Sequence, residues 1–244
     1  QREKGFNKGL FEWLRKAPWG NPVFSGMFMS LVMFGFLGGI SGVVMGTEQI
    51  NLIIHNTLYV PGHFHATVVA GTTLAFMAIT YLLVPLIFRR HVMFPTVAKL
   101  QPYVFGIGIA GISLFMMGAG TLGVPRRHWD ITFADALTTF QFSPAAFLML
   151  ALNGLSAIMA ALGGAMYIVV VVASVFFGRR IGDNEKVALG PATGTQAAAA
   201  VANYGSAGTL HIPGTVVLVG VFFVSFVLYY FVNWKYLAEL WPLK

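Results

Sequence analysis

Long apolar runs separated by short polar breaks dominate this chain. Five runs, roughly 22–46, 60–88, 101–124, 144–178 and 213–240, reach the about 20 residues that a helix needs to cross a bilayer. None alternates as a strand would, so the pattern predicts an all-α integral membrane fold, a bundle of about five transmembrane helices. The fourth run exceeds a membrane thickness and implies tilt or an extension beyond the bilayer. Glycine recurs within the runs ("GFLGGISG", "GIGIAGISLFMMGAG", "LGGAMY"), as expected where helix backbones approach closely in lipid.

The breaks divide the chain into four parts: 1–21, 22–180, 181–212 and 213–244. In the first part, Phe6, Leu10, Phe11 and Leu14 fall at helical spacing among Lys4, Lys8, Arg15 and Lys16. That pattern predicts a basic amphipathic segment lying at the membrane surface. The second part holds four spans. The third, with "GPATGTQAAAAVANYGSAG", is an Ala/Gly-rich polar loop. The fourth is the last span. The chain does not begin with Met, and "QREKGFNKGLFEWLRKAPWG" reads as the interior of a longer polypeptide.

Composition agrees with the pattern: 57% hydrophobic, 9% charged, mean hydropathy +0.76. With no cysteine, thiolate metal sites and internal disulfides are excluded. The net charge of +7 sits mostly in the breaks and flanks the spans, which points to membrane contact and not to nucleic acid. Arg2, Lys4, Lys8, Arg15 and Lys16 put the first segment on the cytoplasmic side. Five crossings then place Arg89, Arg90, Arg179, Arg180 and Lys186 inside as well, in agreement with the positive-inside rule. Arg126 and Arg127, in "VPRRHWD", fall at the outer end of the third span, against the rule. An anionic group there would account for them.

The second run opens with "HNTLYVPGHFHATVVAG", residues 55–71. Ionisable side chains inside a membrane are costly and mark function. A helix turns about 100° per residue, so His63 and His65 project about 200° apart, from nearly opposite faces. They cannot share one metal on one face, which requires i, i+3 or i, i+4 spacing. They can each ligate a separate heme at nearly the same depth, with Phe64 between them. Heme propionates are carboxylates, and the planar, multi-donor heads of Arg126 and Arg127 suit them at a comparable level. The competing readings are helix–helix hydrogen bonding by the histidines, a proton relay or pore lining in a non-redox transporter or channel, and interfacial anchoring by the arginines. Arg89, Arg90 and His91 read as cytoplasmic anchors, and Asn153 and Tyr167 as groups that bond a neighbouring helix.

The strings "HNTLYVPGHFHATV" and, about 60 residues on, "VPRRHW" resemble the C-terminal part of subunit I of heme–copper terminal oxidases, the B-family above all. The resemblance extends over essentially the whole chain. It implies that the five spans are the last five of a subunit with about thirteen. It implies His63 as the proximal ligand of a high-spin heme (a-, o- or b-type), where oxygen is reduced. His65 would be one of two axial ligands of a low-spin heme, b-type. Arg126 and Arg127 would hold propionates, and His55 would lie near a propionate of the high-spin heme in a region of proton exit. The family often has a carboxylate four residues before that histidine; here the position is Asn51, with Glu48 the nearest acid.

The implied partners follow. The copper ligands and the second low-spin heme ligand belong to the N-terminal part of subunit I, outside this chain. Subunit II would carry an electron-entry copper centre, and cytochrome c or a similar donor would supply electrons. The implied activity is reduction of O2 to water, coupled to proton translocation, in the plasma membrane of a prokaryote, with the hemes toward the outer side. A nitric oxide reductase of the same superfamily is the alternative within this resemblance.

Overall fold

The computed structural model describes residues 11–127 and 141–182, together with the isolated helical positions 224, 227, 228, 231 and 235. The basic segment up to residue 10, the Ala/Gly-rich loop from 183 onward and most of the fifth run lie outside the described residues, as do His128 and His211.

Every regular element among the described residues is helical. A short helix α1 (Glu12–Arg15) precedes α2 (Pro22–Val32), a π-helical segment Met33–Gly38 and α3 (Gly39–Gly46); the last three together form the first span. Then come α4 (Glu48–Ile54), α5 (Tyr59–Phe64), a second π-helical segment His65–Thr73 and α6 (Leu74–Ile87). The last three make one continuous span, Tyr59–Ile87. The third and fourth spans are α7 (Pro95–Thr121) and α8 (Pro144–Phe177).

Local chemistry explains the starts. Asn21 caps α2, its Oδ1 accepting from Val23 N at 2.9 Å and Phe24 N at 3.4 Å, with Pro22 in the first turn. Pro95 and Pro144 open α7 and α8 in the same way. Three of the four spans begin and end within a residue of the hydropathy reading. The third does not: α7 begins at Pro95, six residues before the apolar run. Its first two turns carry Lys99 and Gln101, which interrupt the run, and Gln101 is fully buried because Tyr81 Oη donates to its Oε1 at 3.1 Å. A polar side chain satisfied by a neighbouring helix is compatible with a membrane interior but not legible as such in hydropathy.

At the same end, Arg89 to Phe94 run antiparallel to Arg179 to Gly182. His91 N donates to Arg179 O at 2.9 Å and Ile181 N to Arg89 O at 2.8 Å. Arg90 Nη1 donates to Phe176 O and Gly178 O, carbonyls at the end of α8. Arg90 is therefore a C-terminal helix cap, a role that the reading as an anchor did not include. Of the two span-four groups expected to bond a neighbour, Tyr167 does, through Oη to Thr80 Oγ1 at 3.0 Å. Asn153 departs from expectation: its Oδ1 is buried with no partner among the described residues.

Helix α7 is the centre of packing. Half of its most apolar stretch is buried, against 22% for α8. One cluster joins Ala70, Leu74, Phe105, Ile109, Ile112 and Ala160 from three spans; a second joins Ile54, Tyr59 and Met117. The outward faces carry Leu31, Phe36, Ile40, Phe76, Leu155 and Ile158, apolar as a bilayer or a neighbouring membrane helix requires. Small residues set the closeness. A Cβ on Gly108 would lie 2.5 Å from Ala160 N, and one on Gly163 2.5 Å from Phe105 N, so α7 and α8 meet backbone to backbone.

Gly120 is the tightest case, since a Cβ there would run into the backbone amide of Tyr59. Neither backbone yields cheaply. Gly120→Val is expected to destabilise the bundle by at least ~1–3 kcal/mol, the usual cost of overpacking. Gly154→Ala, on open α8 surface, should be harmless. Thermal unfolding of the two detergent-solubilised variants checks this, and equal transition temperatures would refute it.

Candidate functional site

Backbone pairing brings the arginine-bearing turn to the start of the histidine-bearing span. Leu58 N donates to Val124 O at 2.9 Å, Arg126 N donates to Asn56 O at 2.9 Å, and Thr57 bridges to Pro125. The tie needs left-handed backbone at Asn56 (φ 60°) and Arg127 (φ 63°). Asparagine tolerates that region better than most residues. Arg126 Nη2 then donates to Asn56 Oδ1 at 2.7 Å. Its Nε is buried and has no partner among the described residues. Arg127 is exposed. The sequence-level expectation that the Arg and His pairs share one end of the bundle is thus met by a specific connection, and Asn56 is the residue that sequence reasoning missed.

Below this tie, Gly62 lets α5 press onto α7: a Cβ there would meet Met117 N at 2.8 Å, and Ser113 Oγ donates to Gly62 O at 2.6 Å. The contact fixes the rotation of α5. His63 consequently faces the first span, where its Nδ1 lies 2.9 Å from Ser41 Oγ and its Cε1 edge passes over Gly42. Phe64, about half exposed, is tilted against the His63 ring at 5.4 Å between centroids. The backbone stays α-helical through Phe64 (φ −65°, ψ −30°) and His65 (φ −64°, ψ −36°), so the 100° step holds across the pair. His65 finds its partner within its own helix: Nδ1 is 2.7 Å from Pro61 O.

These contacts assign both tautomers. A carbonyl only accepts, so His65 carries its proton on Nδ1 and leaves Nε2 with a free lone pair. Ser41 has a single proton, and its Oγ also faces Leu37 O and, at 3.0 Å, Gly38 O. The hydroxyl therefore donates to a carbonyl and accepts from His63, again leaving Nε2 bare. One helical turn thus presents two basic imidazole nitrogens in different directions.

The π-helical segment starts at His65 itself. Such segments recur at functional sites, because they re-aim one part of a helix without changing the rest. Here the part holding the histidines keeps its own orientation, and the following α6 presents Leu74, Ala78 and Tyr81 to the core. The first span carries its own π segment alongside, with Phe34 against Gly71 and Gly38 against Thr67. Neither is visible in the hydrophobic period of the sequence.

His55 ends α4 and is exposed, its Nδ1 3.2 Å from Asn51 Oδ1. Asn51 Nδ2 donates to Met45 O at 3.0 Å, so the uncharged side chain bridges His55 to the end of the first span. Glu48 is exposed at the start of α4.

Fold and site together define a multi-pass, all-α membrane protein with two histidines diverging from one helical turn and an arginine tied to the same end. Comparison with known proteins narrows the class. Residues 6–155 match the family described as cytochrome c and quinol oxidase polypeptide I, and the chain belongs to that family. It is 35% identical to a cytochrome c oxidase subunit 1 of Thermus thermophilus over 133 residues, 53% of this chain and 23% of that protein. It is 33% identical to cytochrome c oxidase polypeptide 1 of Halobacterium salinarum over 92 residues, 38% of this chain and 15% of that one. A solved structure described as a heme–copper terminal oxidase dimer superposes with a TM-score of 0.65 at 29% identity, covering 74% of this chain and 32% of its counterpart. The chain spans less than a quarter of the length of these two curated relatives.

Proposed function

We propose that this chain is the C-terminal part of the catalytic subunit of a B-family respiratory heme–copper oxidase, reducing O2 to water with electrons from cytochrome c and translocating protons. The observation that carries this reading is the pair of bare Nε2 atoms on one turn, directed apart, with the orphaned Nε of Arg126 at the same end. Bare imidazole nitrogens fit axial positions on two heme irons. A buried guanidinium N–H without a partner fits a propionate.

His63 would hold the high-spin heme and His65 the low-spin, b-type heme; Arg126, helped by Arg127, would hold propionates. Bound there, the hemes would supply one-electron transfer and oxygen chemistry. The chain's own residues bind, orient and neutralise. Ser113 and Gly62 fix the helix, Pro61 fixes the His65 ring, and Asn56 holds Arg126 in place. His55, joined to Asn51, would lie on the proton-exit side. Copper, its ligands and the second low-spin ligand would come from the N-terminal part of subunit I, and the electron-entry centre from subunit II. The setting is a prokaryotic plasma membrane with the hemes toward its outer side.

The test is a reduced-minus-oxidised spectrum of the purified complex, with and without carbon monoxide. One low-spin heme and one carbon monoxide-reactive high-spin heme are expected. A preparation with all its subunits and no heme bands would overturn the reading and leave the histidines as a transport path or a helix contact.

A further inference from the structure

The hydroxyl of Ser41 stands between two helices and serves both. It is 4% exposed, inside the first span. On its own helix it faces Leu37 O and Gly38 O, the backward bonding usual for serine within a helix. That commits its one proton. Across the interface, the lone pairs left over lie 2.9 Å from His63 Nδ1. The Gly38 carbonyl also lies against the His63 ring, and Gly42 closes the other side closely: a Cβ there would be 3.1 Å from Cε1, so the ring would have to give by a few tenths of an ångström. Residues 38, 41 and 42 occupy consecutive turns of one face, so the first span forms a slot that accepts the imidazole in one rotation and one tautomer. His65 differs in that its Nδ1 bond stays within its own helix.

We propose that Ser41 is a positioning residue for His63: by accepting the Nδ1 hydrogen bond it orients the ring and strengthens Nε2 as a donor to the high-spin heme iron. This rests on His63 being that ligand. A hydrogen bond from the distal ring nitrogen of a ligating histidine raises its basicity, and loss of such a partner weakens the metal site. A more basic donor favours ferric over ferrous iron.

The experiment uses the complete oxidase complex with Ser41→Ala and Ser41→Thr. Resonance Raman of the reduced enzyme reads the iron–histidine stretch of the high-spin heme, and redox titration reads its midpoint potential. Ser41→Ala should lower the stretching frequency and raise the potential, while Ser41→Thr, which keeps the hydroxyl, should stay near wild type. The low-spin band from His65 should be unchanged in both, which shows the fold intact. Loss of the high-spin heme alone in Ser41→Ala, with the low-spin band kept, would also support the role. A Ser41→Ala enzyme with wild-type frequency and potential overturns the proposal and leaves the ligand assignment standing. Wild-type heme spectra in His63→Ala would instead overturn the assignment itself.

Discussion

His63→Ala is expected to remove the carbon monoxide-reactive, high-spin heme signal and reduce oxygen consumption to background. Loss of an outer partner of a metal ligand already costs about 10–100-fold in affinity or activity, so loss of the ligand itself should exceed about 100-fold. The side chain contributes little else. Its described polar contacts are the Ser41 hydroxyl and the Gly38 carbonyl, and that hydroxyl keeps its own carbonyl partners when the imidazole is gone. The helix also keeps its docking through Gly62 and Ser113. The low-spin band should therefore persist, and its persistence separates loss of a ligand from loss of the fold. A spectrum and a turnover rate equal to wild type would refute the assignment.

His65→Ala is expected to give the reverse: no low-spin heme band, a surviving carbon monoxide-reactive heme, and steady-state turnover again near background. On the proposed assignment, this variant removes one of the two ligands that a low-spin heme needs. Pro61 O loses the side-chain bond but still accepts from the His65 backbone N–H, so α5 stays intact. The two variants together test the two-sided helix. If both removed the same band, the histidines would serve one site, and the geometric argument from i, i+2 spacing would fail.

The family and the histidine pair were legible in sequence for different reasons. The all-α membrane class follows from apolar runs of bilayer length, a constraint so strong that it needs no tertiary information. His63 and His65 stood out because an ionisable side chain in such a run has few inexpensive explanations. Arg126 stood out because its charge lies where topology disfavours it. In contrast, nothing in the sequence assigned the roles of Ser41, Gly42 and Asn56. A serine beside a glycine in an apolar run reads as ordinary helix packing, and an asparagine in a loop reads as a turn. Gln101 misled the boundary of α7 because its cost is offset by Tyr81 on another span.

What the sequence determined by itself is the set of local, periodic properties: helices of membrane length, the 200° divergence of the two histidines, and the chemistry each imidazole offers. These depend on bond geometry and solvation alone. The tertiary structure decided which nitrogen each histidine presents, which span His63 faces, that Asn56 holds Arg126, and that two π segments lie side by side. Those outcomes depend on hydrogen bonds and close approaches between residues up to 70 positions apart. No local pattern encodes such a pairing, because its energy arises only once the helices have docked.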